Sequence, residues 1–228
     1  LQAENSEFLR QRMADIEAWL LDLPAPDYPL PIDTALAAAG ASLFEQHCAV
    51  CHASGRDNRL GTVIPLAEVG TDPERVNAWT REAADSANRT VRNLTGIRRT
   101  PMGKPDITGY IALQLDGIWL RAPYLHNGSV PTLRALLEPP ANRPATFYRG
   151  YDVLDRHNVG FIARRCAGGR AELPATDASV DFQWGCMPAD RGWLYDTAEK
   201  GNANGGHVYG VDLTDGEKQA LVEYLKTM

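Results

Sequence analysis

Apolar residues recur at helical spacing near the two ends of the chain and show little sustained period between them. At the start, "EFLRQRMADIEAWLLDL" sets Leu9, Met13, Ile16 and Leu20 on one stripe, so residues 1–23 are expected to form a helix. "PAPDYPLPID" follows, and its four prolines predict an extended linker over residues 24–33. "TALAAAGASLFEQHC" then predicts a second helix, with Asp33 as its N-cap and Leu36, Gly40, Leu43, Phe44 and His47 on the inner face. At the far end, "TDGEKQALVEYLKTM" opens with Thr214 and Glu217 at capping-box spacing. Leu221, Tyr224, Leu225 and Met228 form its apolar stripe.

Residues 55–206 are rich in Gly, Pro, Asn and Asp. Short helices are expected at "DPERVNAWTREAADSANRTVRNL" and at "VPTLRALL", where Pro131 fits a first helical turn. So long an irregular stretch is unusual in a compact domain unless something else organises it, and a large apolar cofactor would do so. The expected fold is therefore all-α, with a helical core over residues 34–228 and a long insertion at about 55–206.

Composition narrows the field. The 228 residues carry a net charge of −6 and a pI near 5.4, the wrong balance for a nucleic-acid footprint. No apolar run approaches the ~20 residues that cross a bilayer.

The chemistry starts at "EQHCAVCHASG", residues 45–55, which holds two of the four cysteines and two of the five histidines. On a helix, Cys48, Cys51 and His52 project to one side. The spacing suits haem c, whose vinyl groups form thioethers with two thiols while the adjacent imidazole binds iron. A zinc ribbon would want a second Cys-X-X-Cys or a His pair, whereas Cys166 and Cys186 stand twenty apart. A thioredoxin-like dithiol would follow a strand, and here a helical stripe leads into the motif. His47 lies on the helix's inner stripe, where packing is the expected role.

"GASLFEQHCAVCH" and "LTDGEKQALVEYLKTM" together resemble a class I c-type cytochrome domain. The resemblance implies that the two terminal helices cross closely, with Gly40, Phe44 and Tyr224 at the contact. It also implies an axial methionine shortly before the last helix. None stands there. "GNANGGHVYGVDLTDGEK" offers His207 instead, seven residues ahead of Thr214, in a loop able to take positive φ. His207 is the expected distal ligand, giving bis-histidine iron. Met102 in "RRTPMGKP" is the alternative, and Met187 in "GCMPAD" or an open site a further one.

A narrower resemblance lies in "APYLHNGSVPTL" and the "GNANGGH…EYLK" ending. Both are similar to the C-terminal haem domains of the bacterial dihaem cytochrome c peroxidase superfamily, and closest in wording to the haem-containing rubber oxygenases. This implies that Tyr124, His126 and Asn127 pack beside the haem or contact its propionates. Trp119, next to that run, is a candidate for the pocket lining, with packing alone as its other expected role. Members of that group carry two haem motifs, and this chain has one. Residues 1–23 could then be the last helix of a missing haem domain.

Haem c is attached outside the cytoplasm, so Cys166 and Cys186 could form a disulfide or remain two buried thiols. Arg98, Arg99, Lys104, Arg121 and Arg134 are candidate propionate partners. The expected function is periplasmic electron transfer to and from redox partner proteins by one covalent haem c. The alternative is a haem peroxidase or oxygenase, or the relay domain of a dihaem enzyme of that kind.

Overall fold

The structure, a computed structural model, describes residues 2–55, 57–95, 108–151, 153–166, 186–187 and 191–228. The chain divides into two units, residues 1–26 with 76–107, and residues 27–75 with 108–228. In the first unit, α1 (Gln2–Asp22) leaves its Leu9, Met13, Ile16 and Leu20 stripe exposed.

The second unit is built on α2 (Thr34–His47) and the helix that closes the chain. Asp33 accepts hydrogen bonds from the Ala35 and Leu36 amides and so starts α2. Cys48 interrupts α2, and the next turn, α3 (Ala49–His52), restarts it. The Cys-X-X-Cys-His run therefore bridges two helical pieces rather than continuing one helix. β1 (Val63–Pro65) and α4 (Leu66–Val69) follow, then α5 (Glu74–Ala78), which straddles the division between units, and α6 (Arg81–Thr95) in the first unit.

The expectation of an all-α domain is overturned. Among the described residues, six short strands make three two-stranded antiparallel sheets. β1 pairs with β2 (Gly109–Ile111), which sets Ile64 opposite Tyr110. β3 (Thr146–Arg149) has a partner much later in the chain, and β4 (Leu154–Asp155) pairs with β5 (Gly160–Phe161). That late partner is β6 (Trp193–Asp196), which stacks Tyr195 on Phe147 with ring centres 5.0 Å apart. Strands of two to four residues are too short for a period-two pattern to be read, so this part of the chain resembled loop. Between β2 and β3 lies α7 (Leu133–Leu136). Pro131 is not in its first turn, because Thr132 is the N-cap and accepts from the Ala135 amide.

The chain ends in α8 (Asp215–Leu225), opened by a complete capping box between Thr214 and Glu217. It packs directly on α2. A Cβ added to Gly40 would sit 2.0 Å from the Ala220 carbonyl oxygen, so only glycine allows the approach. One turn on, the Phe44 and Tyr224 rings meet at 5.3 Å. Phe44 and Leu221 are fully buried in the core, joined by Val130, Leu133 and Val159. Polar groups lock the same contact, since Glu223 accepts from the Asp33 amide at 2.7 Å and pairs with Lys226.

A second small core gathers Tyr151, Ile162 and Met187. Beside it, Cys166 and Cys186 are joined by a disulfide.

Gly40→Ala should lower stability by about 1–3 kcal/mol through overpacking. For a chain of this size that is roughly 2–4 °C of thermal midpoint per kcal/mol. Ser42→Ala, exposed on the same helix, should leave the midpoint unchanged. Equal melting curves for Gly40→Ala and the unmutated protein would contradict the close crossing.

Candidate functional site

The end of α2 and the turn of α3 open onto a cavity of about 350 Å³ within the second unit. Cys48, Cys51 and His52 all line it, despite the break at Cys48. His207 lines it too. The His52 and His207 ring centres lie 6.3 Å apart with planes inclined at 48°. Leu133, Leu136, Leu137, Leu221 and Leu225 supply apolar wall, drawn from α7, α8 and the residue after α7.

Each histidine is held from behind. The Nδ1 of His52 lies 2.7 Å from the Leu113 carbonyl oxygen. As a donor to that oxygen it leaves the Nε2 lone pair free, the arrangement that orients a metal-binding imidazole. His207 is fixed through its backbone. Its amide donates to the Val69 carbonyl at 2.6 Å, at the end of α4, and its φ of 46° is in the left-handed region. Gly206 before it has a φ of 71°, and a Cβ there would lie 2.2 Å from the Gly70 carbonyl carbon. Burial, with the nearby charges of His52 and Arg143, pushes the His207 imidazole down to about 4. It is thus neutral at physiological pH. Its Nδ1 is buried with no hydrogen-bond partner. The Tyr209 ring meets it edge-on at 5.2 Å.

The loop carrying His207 hangs on Arg143, a residue that sequence reasoning missed. Arg143 is buried, and its guanidinium donates to the carbonyls of Leu136, Glu138, Asn204, Gly206 and His207 at 2.6 to 3.1 Å. Nothing in "ANRPATFY" marks it, because an arginine bonded to main-chain oxygens has no partner pattern in the sequence.

Of the other expected site residues, Tyr124 and His126 line the cavity. Tyr124 is buried, and its hydroxyl donates to the Ile118 carbonyl at 3.1 Å. His126 stacks on Tyr110 at 3.8 Å, and burial lowers its pKa. Its Nε2 is buried without a partner, as is the Thr71 hydroxyl, and both residues line the cavity. Asn127 turns its amide to the Gly201 and Ala203 carbonyls instead. Trp119 is not on the cavity wall. It is buried edge-on against Tyr28 at 5.4 Å, while the preceding Ile118 faces the cavity. Met187 is fully buried in the second core, against Gly192, and does not line the cavity. Met102, Arg98, Arg99 and Lys104 lie outside the described residues. Arg121 lines the cavity and donates to the Gln114 carbonyl, and Arg134 pairs with Glu138 and Asp215.

These residues fit a haem. Two imidazoles bound to one ion through a nitrogen each at ~2 Å hold their ring centres roughly 6 Å apart, which is the spacing found. Most of the wall is apolar, as a macrocycle needs, and the unsatisfied His126 and Thr71 atoms offer polar contacts to a carboxylate edge. The thiols argue the same way. A redox dithiol needs a depressed thiol pKa, whereas burial and the neighbouring Cys51 push Cys48 up to about 12.

Comparison with known proteins agrees. Residues 109–148 match the model of a family described as RoxA-like, cytochrome c-like. The match supports a cytochrome c-like domain related to RoxA, with haem and iron binding, and a function in electron transfer or one related to oxygenases. Two uncharacterized proteins of Sinorhizobium fredii are similar over most of the chain. One, y4iM, is 31% identical over 241 residues, covering 90% of this chain and 51% of y4iM. The other, y4iJ, is 29% identical over 259 residues, covering 86% of this chain and 39% of y4iJ. The chain thus spans about half, or less, of the length of these curated relatives. Among the described residues, no helix is long and apolar enough to cross a membrane.

In the haem-free chain at pH 8, Cys48 should react with iodoacetamide far more slowly than it does in the unfolded chain, as read by mass spectrometry of its peptide. Equal rates in the two states would restore the redox-dithiol reading.

Proposed function

We propose that this chain is an exported, periplasmic electron-transfer domain with one covalent haem c. In this reading Cys48 and Cys51 hold the porphyrin through thioethers, His52 is the proximal ligand and His207 the distal one. The observation that carries it is the pair of imidazoles, with ring centres 6.3 Å apart, in the lining of a cavity that both cysteines also line.

When bound, haem c supplies reversible one-electron exchange between Fe(III) and Fe(II). The chain's own residues decide what can be done with it. With Nδ1 engaged by the Leu113 carbonyl, His52 would hold the iron through Nε2. His207, kept neutral by burial, offers a lone pair from the other side. With both His52 and His207 as ligands, the iron would have no open position for peroxide or dioxygen, which favours electron relay over oxygen chemistry. Two imidazole ligands would also set a lower potential than a His/Met pair. The unpartnered His126 Nε2 and Thr71 hydroxyl in the cavity lining would be donors for the propionates.

A second reading is oxygenase-related, and two observations favour it: the RoxA-like match and the longer relatives. Here the chain would be the relay half of a dihaem enzyme, joined to the rest through residues 1–23 and the linker at 24–33. The roles of His52 and His207 would be the same in both readings.

His207→Ala should convert the ferric protein from low-spin to high-spin and open it to cyanide and peroxide. The unmutated protein should respond to neither. Mass spectrometry of denatured protein should find one haem mass on the chain, lost in Cys48→Ala/Cys51→Ala. Rapid peroxide turnover by the unmutated chain would overturn the electron-transfer reading in favour of an enzyme.

A further inference from the structure

We infer that Arg143 is the positioning residue for His207, and that its guanidinium fork, rather than its charge alone, keeps that imidazole aimed across the cavity at His52. The inference rests on reading His207 as the distal ligand.

The geometry is that of a clasp. A guanidinium has five N–H donors in a fixed plane, and all of them have carbonyls to meet here. Nε donates to Glu138 at 3.0 Å, and one terminal nitrogen to Asn204 at 2.6 Å and Gly206 at 2.8 Å. The other donates to Leu136 and to His207 itself, each at 3.1 Å. The five carbonyls come from two places, the end of α7 and the loop at 204–207. Arg143 is the group that ties them together.

The loop needs tying. Gly206 and His207 both sit at positive φ, and a non-glycine residue there is strained. The His207 side chain contributes no restraint through Nδ1, which has no partner. Holding falls to the main chain, by the Val69 carbonyl on the amide side and Arg143 on the carbonyl side. Among the described residues no carboxylate forms an ion pair with Arg143. A residue serving as half of a salt bridge would have one. Leaving five part-buried carbonyls without donors would loosen this loop first, since each unsatisfied group disfavours the closed arrangement. A lysine keeps the charge but carries three donors at one point and cannot span both segments.

The test uses Arg143→Lys and Arg143→Gln in the haem-loaded protein, with His207→Ala beside them. Both Arg143 variants should keep attached haem and helical circular dichroism, yet bind cyanide roughly tenfold faster or more, as a displaced ligand would allow. Added imidazole should return them to the low-spin spectrum. Amide hydrogen exchange should quicken at His207 and stay unchanged in α8. Cyanide rates and amide exchange equal to those of the unmutated protein would overturn the inference. So would a spectral change that imidazole does not reverse, or loss of fold in both variants, either of which reduces Arg143 to a structural role. If His207→Ala itself leaves the spectrum unchanged, the distal-ligand reading has failed and takes this inference with it. If only the Arg143 variants are silent, the inference fails alone.

Discussion

Everything in the second unit depends on how closely two helices can approach. At Gly40 the α2 backbone meets the carbonyl of Ala220 in α8, and no side chain fits between them. That contact brings the end of α2 to one side of the core and α8 to the other, with Phe44 and Leu221 fully buried between. Cys48, Cys51 and His52 lie just past the end of α2, so the crossing also decides where these groups sit. Leu221 and Leu225 serve the core and the cavity wall at once. A shift in the crossing would be felt directly at the site.

The two histidines are delivered by different means. His52 comes from a helical turn, and its ring is oriented by a hydrogen bond to Leu113, just after β2. His207 comes from a loop with no regular structure, and main-chain bonds to Val69 and Arg143 hold it. One ligand in the proposed reading is thus rigid by secondary structure and the other by a network around one buried cation. The second arrangement is the easier to modify, because it rests on few groups. Within one architecture, that is where a relay and an oxygen-reacting haem would diverge.

The terminal helices could be read from the sequence because periodicity, caps and the close-packing glycine all point the same way. Asp33, Gly40, Phe44, Thr214 and Tyr224 stand where their patterns indicated. The strands could not be read, since two to four residues carry no measurable alternation and β3 finds its partner more than forty residues later. Of the candidate site, Cys48, Cys51 and His52 were legible as one motif, and His207 as a histidine in a glycine-rich loop before the last helix. Trp119 takes the packing role of its two expected ones, because a short 3-10 turn decides which of two adjacent apolar residues faces the cavity. Thr71, Leu113 and Arg143 were invisible. In the proposed reading they would act through a hydroxyl, a carbonyl and bonds to carbonyls, none of which leaves a spacing to recognise.

The central claim is that one iron is shared by two imidazoles. The most direct measurement is the electron paramagnetic resonance spectrum of the ferric, unmutated, haem-loaded protein, taken with its near-infrared absorption. The account predicts a single low-spin species with two axial nitrogen ligands and no thioether-to-iron charge-transfer band. A high-spin signal, or a band from methionine ligation, would contradict it.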